Sequence, residues 1–359
     1  MKIRSINAYR KNLALIKPYT IARHTVSDVE NIFLEIHLEN GMVGLGSASP
    51  AEEVVGETCA QTFQNCSSDF FQELVGRDIR HFKQMIDEIN VQFPDLPGTQ
   101  AAFDIAAHDA FGQYLGIPVV EFYGQKMRSL PTSVTIGIMS VGETLKEAEQ
   151  FKSLGFRILK VKTGHDPEED IARILKLRER FGQHFRIRVD ANQGYSMKDL
   201  NNFHDGTRSA DIELIEQPLL VGKESELLSL SAATRKILAA DECLKSPAYA
   251  LKLAQHPQPF GIFNIKLMKC GGIRSAFEIA NIARHADIGL FWGCNDESIV
   301  SITAALHVAF ACPNTRYLDL DGSFDLAEDV VDGGFRLRDG CLELVGKSGL
   351  GVEKLALRG

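Results

Sequence analysis

Several function classes are excluded by what this 359-residue chain does not contain. Its seven cysteines (Cys59, Cys66, Cys243, Cys270, Cys294, Cys312 and Cys341) form no CxxC pair. No histidine is spaced to make any of them a convincing zinc ligand or activated nucleophile. An odd number of scattered thiols fits free, mostly buried side chains in a reducing compartment. Three of them, Cys243, Cys270 and Cys294, fall near strand ends and could line a mouth. Positive charge is in deficit: the formal net charge is −8, and Lys and Arg are scattered without a basic stripe, which argues against a nucleic-acid partner. Nowhere do about 20 apolar residues run together, and the start, MKIRSINAYRKNLAL, lacks the apolar core of a signal peptide. The expectation is a soluble, cytoplasmic protein with no membrane partner. No GxGxxG follows an early strand, so a dinucleotide fold is not indicated.

What is present is a period. Short apolar runs recur about every 25 to 28 residues, and each ends in an ionisable residue. Lys160 and Lys162 close RILKVK, Asp190 closes RIRVD, Glu216 closes IELIE, Asp241 closes ILAAD, Lys266 closes GIFNIK, and Asp319 and Asp321 close RYLDLD. Candidate strands at 132–138, 157–163, 186–191, 212–217, 237–241, 261–267, 289–293 and 316–320 alternate with amphipathic stretches such as Pro167–Phe181, Ser246–Gln255 and Ile273–Ala286. Near-continuous apolar strands suit a parallel sheet covered on both faces. Eight strands with seven crossovers imply a closed barrel whose strand ends face one mouth.

Residues 1–125 read differently. Alternating segments come first, with Asn40-Gly41 as a hairpin turn, and helical patterns follow around 57–75, 78–92 and 99–115, the last ended by Gly116-Ile117-Pro118. The predicted fold class is α/β: a (β/α)7β modified TIM barrel over 126–324, with an α+β capping domain at 1–125 that is completed by a strand-like tail at 325–359.

Asp190, Glu216 and Asp241 close the third, fourth and fifth strands. Adjacent parallel strands lie about 4.8 Å apart, so the three carboxylates can converge on one cation. Oxygen ligands without His or Cys select a hard ion, Mg²⁺ first with Mn²⁺ as a substitute. The competing expectation is that each acid pairs with a lysine or caps a helix. Lys160 and Lys162, two apart, share one side of the second strand, and Lys266 ends the sixth, diametrically opposite in a ring of eight. A carbon held over the metal would meet a lysine on each face. Such an arrangement removes an α-proton on one side and returns one on the other, with the cation stabilising the enediolate. A lysine base plus Mg²⁺ is the general principle's own example for enolase-type enzymes; an ordinary lysine value of about 10.4 must fall for it to serve. Asp319 and Asp321 share a face of the eighth strand, away from the metal ligands, where they could hold a substrate ammonium or serve as salt-bridge partners.

KVK at 160–162, DANQ at 190–193, EQP at 216–218, ADE at 240–242, NIKLMKCGG at 264–272, DLDG at 319–322 and AAFDIAAHDAFGQYLGIPVVEFYG at 101–124 make the chain resemble the enolase superfamily over almost its whole length, in particular the muconate-lactonizing group and its dipeptide epimerases. The resemblance implies that Lys162 and Lys266 are the acid/base pair, supported by Lys160, and that Asp190, Glu216 and Asp241 bind Mg²⁺. It further implies that Glu242 partners Lys266, that Asn192 lies beside the metal, and that the aspartates of DLDG hold the amino terminus of a dipeptide substrate. Two cap loops, about Tyr19–Thr25 and Ser49–Glu57, should cover the mouth. Relatives acting on Ala-Glu carry an arginine in the first loop; here that place falls on His24, beside Arg23. With Glu52, Glu53 and Asp296 adding negative charge, a neutral or cationic dipeptide is favoured. The alternatives are an N-acylamino acid racemase, an o-succinylbenzoate synthase or a cycloisomerase of the same group, or a non-catalytic binding barrel. Gly271-Gly272 reads as a tight turn opening a helix more than as a phosphate loop. A closed homo-oligomer is also expected.

Overall fold

Alternating residues in the first fifty positions build a three-stranded antiparallel sheet: β1 (Ile3–Ile21), β2 (His24–Leu38) and β3 (Val43–Ala48). The computed structural model describes residues 1–21 and 24–355, the side chains of 18–21 and 24–26 excepted. Gly41, at φ 87°, makes the turn between β2 and β3 that a residue with a Cβ would resist. The sheet lies against the helix Pro97–Leu115, in which fourteen residues are buried. Around it the expected helix at 57–75 divides into Cys59–Cys66, opened by a Thr58–Gln61 capping box, and Asp69–Gln72, with Ser67 and Ser68 breaking the run. The expected first cap loop is mostly strand, since Tyr19 pairs with Val26, Thr20 with Thr25 and Ile21 with His24.

After β4 (Ser129–Pro131) the alternation begins: β5 (Val134–Ile136), β6 (Ile158–Lys162), β7 (Arg186–Asp190), β8 (Ile212–Glu216), β9 (Leu238–Ala240), β10 (Ile262–Ile265), β11 (Gly289–Gly293) and β12 (Thr315–Asp319). These last eight form one parallel sheet in sequential order. A parallel bridge between Thr132 and Leu318, with Ser133 N donating to Leu318 O at 3.0 Å, brings the two edges together. Arg188 crosses the interior from β7 and donates to Leu318 O at 2.6 Å, stacking over Phe291 and Tyr317 below the strand ends. The barrel is therefore a filled core with its chemistry confined to one rim.

The tail supplies β13 (Val331–Gly333), β14 (Phe335–Arg338), β15 (Cys341–Leu344) and β16 (Val352–Lys354). β15 pairs with β4, while Leu350 N donates to Asp109 Oδ1 at 2.8 Å and Lys354 ion-pairs with Glu35 of β2, so this segment touches both halves. Cap and barrel are also joined by Asp104, whose carboxylate caps the helix Ile273–His285 through Ile273 N at 2.9 Å and Arg274 N at 3.1 Å. Gly271 and Gly272, both at positive φ, form the turn that opens this helix; a Cβ on Gly272 would lie 2.7 Å from that of Asp104. The anion at this helix start is thus a side chain of the cap. Among the described residues no helix is long and apolar enough to cross a membrane.

His307, buried in the helix Ile299–Ala311, fastens three segments at once. Its Nδ1 accepts from Val120 N at 3.0 Å, which fixes the proton on Nε2, 3.3 Å from Leu350 O. Burial pushes its pKa down from 6.5 to about 4. The unfolded chain takes up this proton first, so the stability it confers is complete above about pH 6.5 and is lost as pH falls towards 4. Between pH 7.5 and 5 the wild type should lose about 2 kcal/mol more unfolding free energy than a His307→Gln variant. Urea melts at the two pH values measure this; identical losses in the two proteins would contradict it.

Candidate active site

The register of the parallel strands sets the acids side by side. Lys162 is level with Asp190, Asp190 with Glu216, and Glu216 with Ala239, two residues before Asp241. Asp190 and Glu216 are the last residues of their strands, and Asp241 follows β9 directly. All three are buried to 1% exposure or less.

Each carboxylate divides its oxygens in the same way. One is tied to the framework: Asp190 Oδ1 accepts from Asn192 N at 3.0 Å, Glu216 Oε1 from Asn264 Nδ2 at 2.5 Å, and Asp241 Oδ1 pairs with Lys269. The other meets a lysine of the rim. Asp190 Oδ2 lies 3.0 Å from Lys160 Nζ and 2.7 Å from Lys162 Nζ, Glu216 Oε2 lies 2.9 Å from Lys160 Nζ, and Asp241 Oδ2 lies 3.0 Å from Lys266 Nζ. Lys162 thus reaches the arc at its first acid and Lys266 at its last. Their strands, β6 and β10, are four places apart in a ring of eight.

The charges are strongly coupled. Burial lowers the affinity of Lys266 for its proton, but Asp241 and Glu216 outweigh burial and leave its pKa above the ordinary value. The lowering expected for a lysine base, favoured here by burial and by Lys160, is therefore outweighed by the carboxylates. Burial raises Asp190, yet Lys160 and Lys162 reverse the effect and hold it below the carboxylate range. Glu216 is pushed up to about 8, by burial first and then by the neighbouring Asp190 and Asp241. Its Oε2 is close to Lys160 but has no hydrogen bond of good geometry.

Among the described residues no group of three His, Cys, Asp or Glu stands ready-formed as a metal cage, and ammonium groups lie against the acids. The donor set nevertheless fits a hard divalent cation: three buried carboxylate oxygens, no nitrogen or sulfur, and an under-bonded Glu216 oxygen crowded by like charge.

Two expected placements are corrected. Asp319 is not away from the acidic arc, for its Oδ2 lies 2.8 Å from the same Lys160 Nζ, and its Oδ1 accepts from Ser133 Oγ at 2.5 Å. The closure of β12 towards β5 places it within reach of a lysine that spans the interior. Asp321 is separate: its Oδ2 accepts from Thr135 N at 2.9 Å and Oγ1 at 3.0 Å, and burial followed by the Asp319 charge raises its pKa to about 8. Glu242 does not bond Lys266; its Oε1 accepts from Asn192 Nδ2 at 3.2 Å, while Asn192 Oδ1 accepts from Lys162 at 2.9 Å.

The second expected cap loop contains a short helix. Glu52 and Glu53 are exposed on the short helix Glu52–Val55, whose loop is held by Lys245 on Val54 O and by the buried Glu57 on Gly98 N and Thr99 N. Asp296 is half-buried, with its carbonyl accepting from Ser49 Oγ at 3.3 Å. Arg23 lies outside the described residues, as does the side chain of His24. Cys243 and Cys270 are buried, and Cys294 donates to Asp319 O at 3.2 Å. Sequence reasoning missed Asn264, Lys269, Glu297 and Asp325. The first two had a signal in NIKLMK, being two before and three after Lys266. Burial raises Glu297 to about 7; burial followed by Asp296 and Glu147 raises Asp325 to about 6, marking a rim rich in negative charge.

Residues 4–124 match the mandelate racemase / muconate lactonizing enzyme N-terminal domain, and residues 143–355 match the enolase C-terminal domain-like family. The L-Lys-D/L-Arg epimerase of Desulforapulum autotrophicum is 50% identical over 99% of this chain and 100% of its own. The hydrophobic dipeptide epimerase of Enterococcus faecalis is 34% identical over 98% of this chain and 99% of its own. A crystal structure of the dipeptide epimerase from Methylococcus capsulatus, complexed with Mg and the dipeptide L-Arg-D-Lys, superposes with a TM-score of 0.95 at 47% identity, covering 98% of this chain and 99% of that one. With both halves matched, the chain belongs to the enolase superfamily, as a protein with the paired domains of mandelate racemase and muconate lactonizing enzyme.

Proposed function

We propose that this protein is a dipeptide epimerase that depends on a divalent cation and inverts the α-carbon of the C-terminal residue by 1,1-proton transfer, with cationic dipeptides preferred. One observation carries this reading: the acidic arc is met by Lys162 at one end and by Lys266 at the other. In the proposed assignment Asp190, Glu216 and Asp241 hold Mg²⁺, with Mn²⁺ as a substitute. The cation, when bound, stabilises negative charge developing on the substrate carboxylate. One of the two lysines, neutral, takes the α-proton; the other, as ammonium, returns a proton to the opposite face. The two exchange roles for the two epimers. Lys160, within 3.0 Å of three carboxylates, keeps the arc compact and supports Lys162. Asn192 orients Lys162 and links it to Glu242.

Asp321 is the assigned anchor for the substrate ammonium. Burial first, and then the charges of Asp319 and Asp325, raise its pKa to about 8, and a bound ammonium would offset both. Asp319, committed to Lys160 and Ser133, is left to shape this anchor from behind. The excess of carboxylates at the rim supports a cationic side chain, as does the 50% identity to an L-Lys-D/L-Arg epimerase.

Purified protein incubated with Mg²⁺ and a dipeptide library in D₂O should incorporate deuterium at the C-terminal α-carbon, read by mass. Exchange confined to N-acylated amino acids would replace this reading with an N-acylamino acid racemase. Lys162→Ala and Lys266→Ala should each lower epimerisation by about 10²–10⁴-fold, while each retains exchange of the α-proton in only one epimer. Equal residual exchange of both epimers in either variant would refute the two-face assignment. In kcat/KM, Lys- and Arg-containing dipeptides should exceed Ala-Glu by about 10- to 100-fold, the value of one buried charge-assisted contact. Equal values would remove the specificity reading.

A further inference from the structure

Lys269 is buried, and its ammonium has no part in the proton transfer assigned above. It pairs with Asp241 Oδ1 and donates to Asp241 O at 2.5 Å and Asn264 O at 3.2 Å, which uses all three of its N–H groups. Asn264, fully buried, places its Nδ2 2.5 Å from Glu216 Oε1 and is confined by Gly293, where an added Cβ would come within 2.6 Å of Asn264 Oδ1. The two residues touch each other and clamp the outer oxygens of two neighbouring acids. The third acid, Asp190, is clamped through the backbone of Asn192. A carboxylate with one oxygen so held would offer a cation chiefly its other oxygen, the one that now faces a rim lysine.

That restriction bears on which ion the arc accepts. Mg²⁺ requires six oxygens in a near-ideal octahedron, whereas Ca²⁺ takes six to eight at longer range and readily uses both oxygens of a carboxylate. Three acids limited to one oxygen each supply half an octahedron and leave room for substrate and water. They underserve a larger ion. We propose that Lys269 and Asn264 are positioning residues that hold Asp241 and Glu216 to one inward oxygen apiece, so that the site selects Mg²⁺ over Ca²⁺. This rests on the cation reading above. It assigns discrimination to two side chains outside the acid set.

The test is calorimetric titration of metal-free protein with MgCl₂ and with CaCl₂, without substrate, in the wild type and in Lys269→Met, Lys269→Arg and Asn264→Ala variants. Folding is checked by circular dichroism. In Lys269→Met and Asn264→Ala, Mg²⁺ affinity should fall by about 10–100-fold, the usual effect of removing a group that orients a ligand. Ca²⁺ affinity should hold or rise, so the Mg²⁺ preference drops at least about tenfold. Lys269→Arg, which keeps donor and charge, should hold the preference near the wild-type value. If Lys269→Met does not fold, Asn264→Ala reports independently through Glu216. Equal weakening of both ions in the folded variants would overturn this inference and leave the cation reading intact. A wild type that binds neither ion would overturn the cation reading, and this inference with it.

Discussion

Three carboxylates can be buried side by side only if cations are buried with them. Taking one ion out of water costs several kcal/mol even after relaxation, and adjacent like charges add to that. Lys160 meets this constraint: 4% exposed at its side chain, it stands within 3.0 Å of Asp190, Glu216 and Asp319. Lys162 shares the Asp190 oxygen with Lys160, and Lys266 and Lys269 serve the two oxygens of Asp241. The site is therefore an alternating cluster of charge in which no member is neutral to the others. Asp190, Glu216 and Asp241, the residues that would hold a divalent cation, carry the oxygens that these lysines now contact, and the cation would supply positive charge at the same place.

The proposed assignment puts proton transfer and selectivity on separate elements. The acids and lysines sit on strand ends braced by the filled barrel interior, where Arg188 ties β7 to the backbone of β12. The rim is assembled from pieces distant in sequence: the Glu52–Val55 helix pinned by Lys245, the Asn295–Asp296 turn bonded to Ser49, and Asp321 held by Thr135. Cap and barrel hold their relation through Asp104 at a helix start and through His307, which joins the end of the cap to the tail.

The strand-end chemistry was legible because parallel barrel strands repeat with a fixed period and present their last residues to one rim. Asp190, Glu216, Asp241, Lys162 and Lys266 come together for that reason. What linear spacing misjudged depends on side-chain reach and ring closure. Asp319 was assigned away from the arc, but Lys160 is long enough to span the interior to it. Glu242 follows Asp241 directly and so turns from the arc towards Asn192. Asn264 and Lys269 were passed over because an amide in a strand and a lysine in a helical turn carry no periodic mark. In the cap, the hairpin at Asn40-Gly41 was readable from turn chemistry, whereas the apolar pattern at 57–75 ran through the serines that break it.

The central claim is geometric: two amines approach one carbon from opposite sides beside a cation held by three acids. A crystal structure of the enzyme with Mg²⁺ and a dipeptide tests it most directly. The account predicts Lys162 Nζ and Lys266 Nζ about 3–3.5 Å from the same α-carbon, one on each face, with the ion on Asp190, Glu216 and Asp241. Both amines on one face, or an ion bound elsewhere, would contradict it.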